Sequence, residues 1–439
     1  MARETQTQEA GAQRERRATQ RERLIGGMVD AATELGCAGA NVSAVIERAG
    51  VSRPTFYEYF DDRDACFLAT LETVSGRLLE KVRAHVGESP PERAMHASIE
   101  VLVAFAVESR SAARFLTNES LGAGPTMLAA RDDGVRKLAA VIDRAQRKAE
   151  PAATVPDVAA LTVMGGAYRL LGARLRRGEP GLSRLREDLL VWLDTFAAPA
   201  AKHRWGSLGA GVAEDRSPFV AETAMRAPAM LGPGRPRIAP EEVAENQRLR
   251  VLHATATLAA RDGYAATKVS DILKLAGVDG RAFYSRFAGK QEAFMAVHEI
   301  GVQQVLWVTG EAFFSAESWP ERVWEASRAF VQFLELNPVV ARVGFVEAYA
   351  VGPAAVQRVE DSHFSFTMFL QEGYQHAPET QLSRLSLEAS VMCIFELVYR
   401  RARARRTPPT GELIAQMSFL CLAPFLGAEA AGEFIERQR

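Results

Sequence analysis

Apolar positions recur at three- and four-residue spacing along most of this chain, as at Leu79, Val82 and Val86 and around Val331, Phe333 and Leu334. That period lays apolar side chains along one face of a helix. Alternating strand-like segments bounded by Asn-Gly or Asp-Gly turns are missing from the sequence. The pattern predicts an all-α fold. Its interruptions say more. Residues from about Arg17 to Leu35 predict a helix ended by Gly36, a residue that tolerates left-handed geometry. Asn41 can cap a second helix over Val42–Ala49, and Ala49-Gly50-Val51 then makes a tight corner, with Gly50 suited to positive φ. Ser52 opens a third short helix reaching Phe60, in which Phe56 and Phe60 stand four apart and face inward. Two short helices joined by a glycine turn form a helix-turn-helix, whose second helix can enter a DNA major groove.

The same pattern returns downstream. A shift of 227 residues superimposes Arg21–Phe67 on Arg248–Phe294 without a gap, with 14 identities in 47 positions. The likeness continues beyond these segments: Ala113-Arg114, Glu119 and Gly124-Pro125 recur at a shift of 228 as Ala341-Arg342, Glu347 and Gly352-Pro353. Tyr168-Arg169-Leu170 aligns with Phe395-Glu396-Leu397, again at 227. A duplicated unit accounts for this better than two unrelated domains. The expected architecture is two tandem units, each an N-terminal three-helix helix-turn-helix head and a helical-bundle body for ligand binding and dimerisation. The heads fall at 14–65 and 241–292 and the bodies at 66–200 and 293–439. The Ala/Gly/Pro-rich stretch 201–240 between them predicts a flexible linker.

The heads carry the candidate chemistry. The run Val42-x-x-Val45-x-x-x-Ala49-Gly50-Val51-Ser52-Arg53-Pro54-Thr55-Phe56-Tyr57-x-Tyr59-Phe60-x-x-Arg63 resembles the TetR-family signature. So does Val269-x-x-Ile272-x-x-x-Ala276-Gly277-Val278-x-x-x-x-Phe283-Tyr284-x-x-Phe287-x-x-Lys290. The resemblance covers about 45 residues per copy and implies double-stranded DNA as partner. It implies phosphate contacts from Thr55, Tyr57, Tyr59 and Arg63, with Arg53 and Pro54 facing base edges, where an arginine can read guanine and a proline can touch a thymine methyl. Ser52 is the expected cap of the recognition helix, and Ser43, at a helix N-terminus, is placed for phosphate. In the second head the matching expectations fall on Ser270, Arg281, Tyr284, Arg286 and Lys290. Core packing is a second reading for Tyr57 and Tyr284. Asp279, Gly280 and Ala282 depart from the signature, and Asp279 repels phosphate while capping well. The alternative is therefore a sensor or adaptor in which only the first head binds DNA. Ahead of the second head, Arg235 and Arg237 in Gly-Arg-Pro-Arg suit an A·T-rich minor groove, or are simply a basic linker.

Charge changes the picture only locally. The whole chain has a formal net charge of −1. Met1–Phe60 holds 8 Lys/Arg against 8 Asp/Glu, and Gly232–Lys290 holds 10 against 6, a balance of +4. The heads should therefore read unequal half-sites. No Gly-x-Gly-x-x-Gly after a strand, phosphate loop, His-Glu-x-x-His or paired-cysteine metal site occurs in the sequence. An enzyme is not expected, nor a cofactor. Cys37, Cys66, Cys393 and Cys421 form no Cys-x-x-Cys pair and predict free thiols of a reducing compartment. The N-terminus lacks the apolar segment of a signal peptide, and no apolar run is long enough to span a bilayer. A cytoplasmic protein without membrane contact is the expectation.

In the bodies the resemblance implies a pocket for a small, often hydrophobic molecule and a dimer interface from the last two helices. Those helices correspond to about 157–177 with 182–196, and 385–406 with 412–425. Gly165, Gly166 and Ala167 permit close helix approach. Pairing of copy one with copy two inside the chain is favoured, and a homodimer with four heads stays open. Glu119 and Glu347 are candidate ligand contacts, or ties to a helix N-terminus. Phe313, Phe314, Trp319, Trp324 and Phe345 read as core before pocket.

Overall fold

The structure is a computed structural model that describes the chain apart from residues 1, 180, 203, 213–214, 221–227, 230–238, 378–381, 405–408 and 439, and apart from the side chains of residues 2–17, 202, 353 and 354. Helices dominate the described residues. The first copy contains α1 (Ala2–Gly39), α2 (Val42–Ala49), α3 (Arg53–Tyr57), α4 (Arg63–Glu88), α5 (Ala94–Glu108), α6 (Arg110–Arg114), α7 (Pro125–Gln146), α8 (Ala160–Arg176) and α9 (Leu182–Asp194). The second contains α10 (Pro240–Asp262), α11 (Val269–Ala276), α12 (Gly280–Tyr284), α13 (Lys290–Phe313), α14 (Trp319–Leu336), α15 (Pro338–Phe345) and α16 (Pro353–Ser365). It ends with α17 (Gly373–His376), α18 (Arg384–Arg403), α19 (Thr410–Leu426) and α20 (Ala428–Glu436). One short antiparallel pair, β1 (Thr154–Pro156) with β2 (Ala197–Pro199), joins in register Val155 to Ala198.

Two compact units result, one of Met1–Ala149 with Leu171–Glu187 and one of Glu150–Leu170 with Asp188–Arg439. In the first unit the head closes over Leu24, Met28, Val45 and Phe56, all buried. Its body buries Phe67 against Phe115, ring centroids 4.7 Å apart, with Leu71, Leu102, Leu138 and Ile142 around them. In the second unit the head core of Leu252, Ile272, Phe283, Phe287 and Phe294 runs on without a break into Val343, Ala355 and Val359 of the body.

The second unit also holds residues of the pairing helices predicted from the first copy. Gly165 and Gly166 of α8 lie against α18, and a Cβ on Gly166 would meet Cys393 Sγ at 2.4 Å and its backbone nitrogen at 2.9 Å. Only glycine leaves room for that approach. Arg169 Nε donates to Glu396 Oε2 at 2.8 Å, with both side chains 3% exposed. Its second nitrogen donates to the Tyr349 hydroxyl at 2.9 Å, and the guanidinium lies over the rings of Tyr349 and Tyr399. Burial alone would lower the Arg169 pKa, but Tyr349, Glu396 and Tyr399 hold it above its ordinary value. Trp192 Nε1 donates to Ser390 Oγ at 2.9 Å, and Phe196 and Trp205 pack on Phe419.

The flexible linker expected over 201–240 is packed through its first half. The Asp157 carboxylate accepts from the backbone N–H groups of Arg204 and Trp205, and Trp205, Leu208, Val212 and Val220 are buried. Gln332 fixes the next stretch, accepting from Ser217 N and donating to Asp215 O. Small residues and glycines weaken a helical signal, but here they let the chain lie close against α19: Gly209 fits beside the Gly411 carbonyl, where a Cβ would come within 2.4 Å. No helix among the described residues is long and apolar enough to cross a membrane. The four cysteines are free, and burial pushes the Cys66 and Cys421 thiols up to about 12.

Candidate nucleic-acid interface

Both heads build the expected motif from capping and turn chemistry. In the first, Asn41 Oδ1 accepts from Ala44 N at 3.0 Å and opens α2. Gly50 then turns with φ 61° and ψ 42°, left-handed values that a side chain would strain. Ser52 Oγ accepts from Thr55 N and opens α3. In the second head Gly277 turns with φ 59° and ψ 43°, and Asp279 replaces the serine cap by accepting from Ala282 N at 2.8 Å. The recognition helices are shorter than expected. The first stops at Tyr57, because Tyr59 N and Phe60 N both turn back onto the Phe56 carbonyl. Phe56 and Phe60, like Phe283 and Phe287, face the core as the spacing demanded.

The front of each head is open. Ser43, Ser52, Arg53 and Pro54 are exposed, and Thr55 is half-buried. Tyr57 is 49% and Tyr284 60% exposed; each rests one edge on the preceding phenylalanine and turns outward, so neither is a core ring. Arg53 donates to Ser43 Oγ at 2.7 Å, which ties the start of the recognition helix to α2. In the second head Ser270, Arg281, Tyr284 and Arg286 are exposed, and Arg281 and Arg286 form no ion pair among the described residues. Arg235 and Arg237 lie outside the described residues.

Five other candidate residues bond to other parts of their own unit. The Tyr59 hydroxyl donates to Gln20 Oε1 at 3.0 Å and so fastens α1. Arg63 does not reach out as a free phosphate clamp. Its guanidinium donates to the carbonyls of Ala40 and Cys37 and lies 5.0 Å from the Phe67 ring. Lys290 does the same in the second copy, donating to the carbonyls of Tyr264, Ala265 and Thr267 at 3.0–3.2 Å. Cations suit these positions because several carbonyls of the corner between the first two helices of each head converge there.

The remaining two, Glu119 and Glu347, grip the same corner from the other side. Glu119 Oε2 accepts from Cys37 N at 3.1 Å, and Glu347 Oε2 from Tyr264 N at 3.0 Å. Arg114 stands 3.7 Å and Arg342 3.5 Å from the opposite oxygens. These carboxylates therefore tie body to head, the second of the two readings they offered. The backbone N–H just past Gly36 or Gly263 has no helical acceptor, and a charged oxygen is a strong one. Burial raises the Glu119 pKa, opposed by Arg114 and the Cys37 N–H. Replacing Glu347 by alanine leaves that N–H unpaired, at a cost of about 1–3 kcal/mol. Exchange of the Tyr264 amide proton should then accelerate by roughly tenfold or more. Unchanged exchange there would show that the tie holds nothing.

One further clasp escaped sequence reasoning. Arg23 donates to the Gly50 carbonyl at 2.6 Å, and Arg250 to the Gly277 carbonyl at 3.0 Å. The identity of these arginines at the 227-residue shift was the available signal. Only the folded corner shows what they hold.

The family model for bacterial regulatory proteins of the tetR family matches residues 29–70 and 251–297. No curated protein matches the chain. Among solved structures, a TetR-family transcriptional regulator of Syntrophomonas wolfei str. Goettingen is 18% identical, covering 44% of this chain and 94% of its own, with a TM-score of 0.36. The fatty acid degradation regulator FadR of Bacillus halodurans is 15% identical, covering 39% of this chain and 96% of its own, with a TM-score of 0.34. Both family matches fall on the two helix-turn-helix heads built above, so the chain carries two tandem heads similar to those of bacterial regulatory proteins of the tetR family.

Proposed function

We propose that this regulator works as a pseudo-dimer within one chain, and that it is a repressor released from an asymmetric palindromic operator by a small ligand. One observation carries the pairing. Arg169 and Glu396 are equivalent positions of the two repeats, 227 residues apart, and they meet each other in a buried ion pair. Gly166 and Cys393, also 227 apart, meet as well. In a two-fold symmetric dimer, a position that lies on the axis meets its own copy. Pairing first copies of two chains by the same geometry would bring Arg169 to Arg169, and pairing second copies would bring Glu396 to Glu396. A buried like-charge pair is strongly unfavourable. The divergence to opposite charges, and to glycine against cysteine, thus favours copy one with copy two.

Repression and ligand release follow from the family's two-part build. A ligand that binds one body shape better than another shifts the population of head positions and lowers operator affinity. The ties at Glu119 and Glu347 supply rigid connections for such a shift. The test is stoichiometry on bound DNA. Genomic fragments captured by the full chain should contain two unequal half-sites about one helical turn apart or a multiple of it. Sedimentation of the complex should give one chain per such site. Two chains per site, or no sequence-specific capture, would overturn the reading.

A further inference from the structure

The body of the second repeat holds a cavity at positions that the first repeat fills with other residues. That cavity has a volume of about 30 Å3 and is walled by residues of α13, α15, α16 and α18, among them His298, Gly301, Gly344, Phe345, His363 and Phe395. Its equivalents in the first copy, at shifts of 227 or 228, are Leu71 for His298, Val74 for Gly301, Leu116 for Gly344 and Val135 for His363. Those four side chains are 1–2% exposed in the core of the first unit. Where Leu116 fills space, Gly344 leaves it: a Cβ built there meets nothing within 4 Å. Each difference removes bulk from the second body or puts a polar ring in it.

Each polar ring leaves one nitrogen without a partner. His298 and His363 are each 4% exposed, and the buried His298 Nε2 and His363 Nδ1 have no hydrogen-bond partner among the described residues. An unpaired buried polar atom costs free energy that a leucine or valine would avoid. The first copy shows that the fold accepts the apolar alternative. Around them the walls are aromatic. His363, Phe345 and Phe395 form a cluster of near-parallel rings, with interplanar angles of 8–24° and centroids 4.0–5.9 Å apart. A second cavity of about 40 Å3 shares Phe366 and Phe395 as walls with the first. Burial holds the imidazoles neutral, with His298 pushed down to about 4 and His363 also well below its ordinary value.

We infer that the second body is the sensing one, and that its cavity takes a small, planar, uncharged molecule bearing one hydroxyl or carbonyl, hydrogen-bonded by His298 and His363, while the first body's counterpart is closed. This rests on the reading of the chain as a ligand-released regulator. Planarity follows from the ring stack. Neutrality follows from walls that offer no unpaired charge, since an ion would leave water without compensation. Size follows from two small voids parted by Phe366 and Phe395, which a single ring can join by displacing the Phe366 side chain.

Phenol is a suitable probe, with toluene as its apolar counterpart. Titrating phenol into the full chain labelled with 15N in its histidines should move two of the seven imidazole signals. Single His363→Val and His298→Leu variants should each lose one of those signals and weaken phenol about tenfold, the factor for one modest hydrogen bond, while toluene binding stays. Installing the first copy's residues together (His298→Leu, Gly301→Val, Gly344→Leu, His363→Val) should abolish binding of both. Should that variant fail to fold, the wild-type titration decides alone. Phenol that moves no imidazole signal, or that binds no better than toluene, overturns the assignment. Operator affinity is measured in parallel. Phenol bound at the two histidines without weakening DNA binding would leave the site standing and remove ligand release by this class.

Discussion

Replacing Glu396 by alanine should destabilise the protein by about 3–5 kcal/mol, among the largest single-residue losses expected of it. The carboxylate is buried against Arg169, which cannot lose its charge, and removing it strands a buried guanidinium. Tyr349 keeps one hydrogen bond to Arg169, and the Tyr349 and Tyr399 faces keep some attraction, but no anion remains beside it in that contact. Domains are stable by only about 5–15 kcal/mol, so the loss is a large share. In thermal unfolding followed by circular dichroism the midpoint should fall by on the order of 10 °C. Glu396→Arg should be worse, because it sets two cations together. Exchanging the pair, Arg169→Glu with Glu396→Arg, should recover much of the loss. Replacing both residues by methionine should recover as much, since the pair itself contributes little net stability once its desolvation is counted. A midpoint unmoved by Glu396→Ala would mean that the two repeats do not meet through this contact, and the intrachain pairing would lose its basis.

The second large effect falls on DNA. Tyr57→Ala and Tyr284→Ala should each weaken operator binding about tenfold or more, because each removes an exposed hydroxyl suited to a charged phosphate oxygen. The two together should leave only non-specific binding, with a Kd in the range of about 10⁻⁴–10⁻⁶ M at physiological salt. Footprinting of the single variants should show protection lost over opposite halves of the site. Arg281→Ala should act differently: an arginine reading a base contributes discrimination, so sequence preference in one half-site should relax. A gel-shift in which Tyr284→Ala behaves as the unaltered protein would assign all DNA binding to the first head, and make the second a sensor with a vestigial head. Arg281 and Arg286, exposed and without an ion pair among the described residues, favour two working heads.

Much of this was legible along the chain, for a local reason. Helix periodicity, the caps at Asn41, Ser52 and Asp279, and the glycine corners at Gly50 and Gly277 depend on residues within a few positions of one another. Short-range geometry of that kind is written in sequence spacing, and the repeat wrote it twice. What spacing does not encode is which distant groups a long side chain will satisfy. Arg63 and Lys290 follow the family pattern, yet they bind carbonyls 23–26 residues behind them, because the corner between the first two helices lies within reach. Glu119 and Glu347 are separated from Cys37 and Tyr264 by more than 80 residues, and only the folding of body onto head brings them to those amides.

The sequence by itself determined the helical class, the duplication and the two helix-turn-helix corners, since each follows from backbone conformations that a few neighbouring residues select. Tertiary structure alone decided that Arg169 faces Glu396, that residues 204–212 and 215–220 pack instead of hanging free, and that Gly301 and Gly344 open a cavity beside two histidines. Burial, charge pairing and empty volume are properties of surfaces brought together from far apart, and no local pattern fixes them.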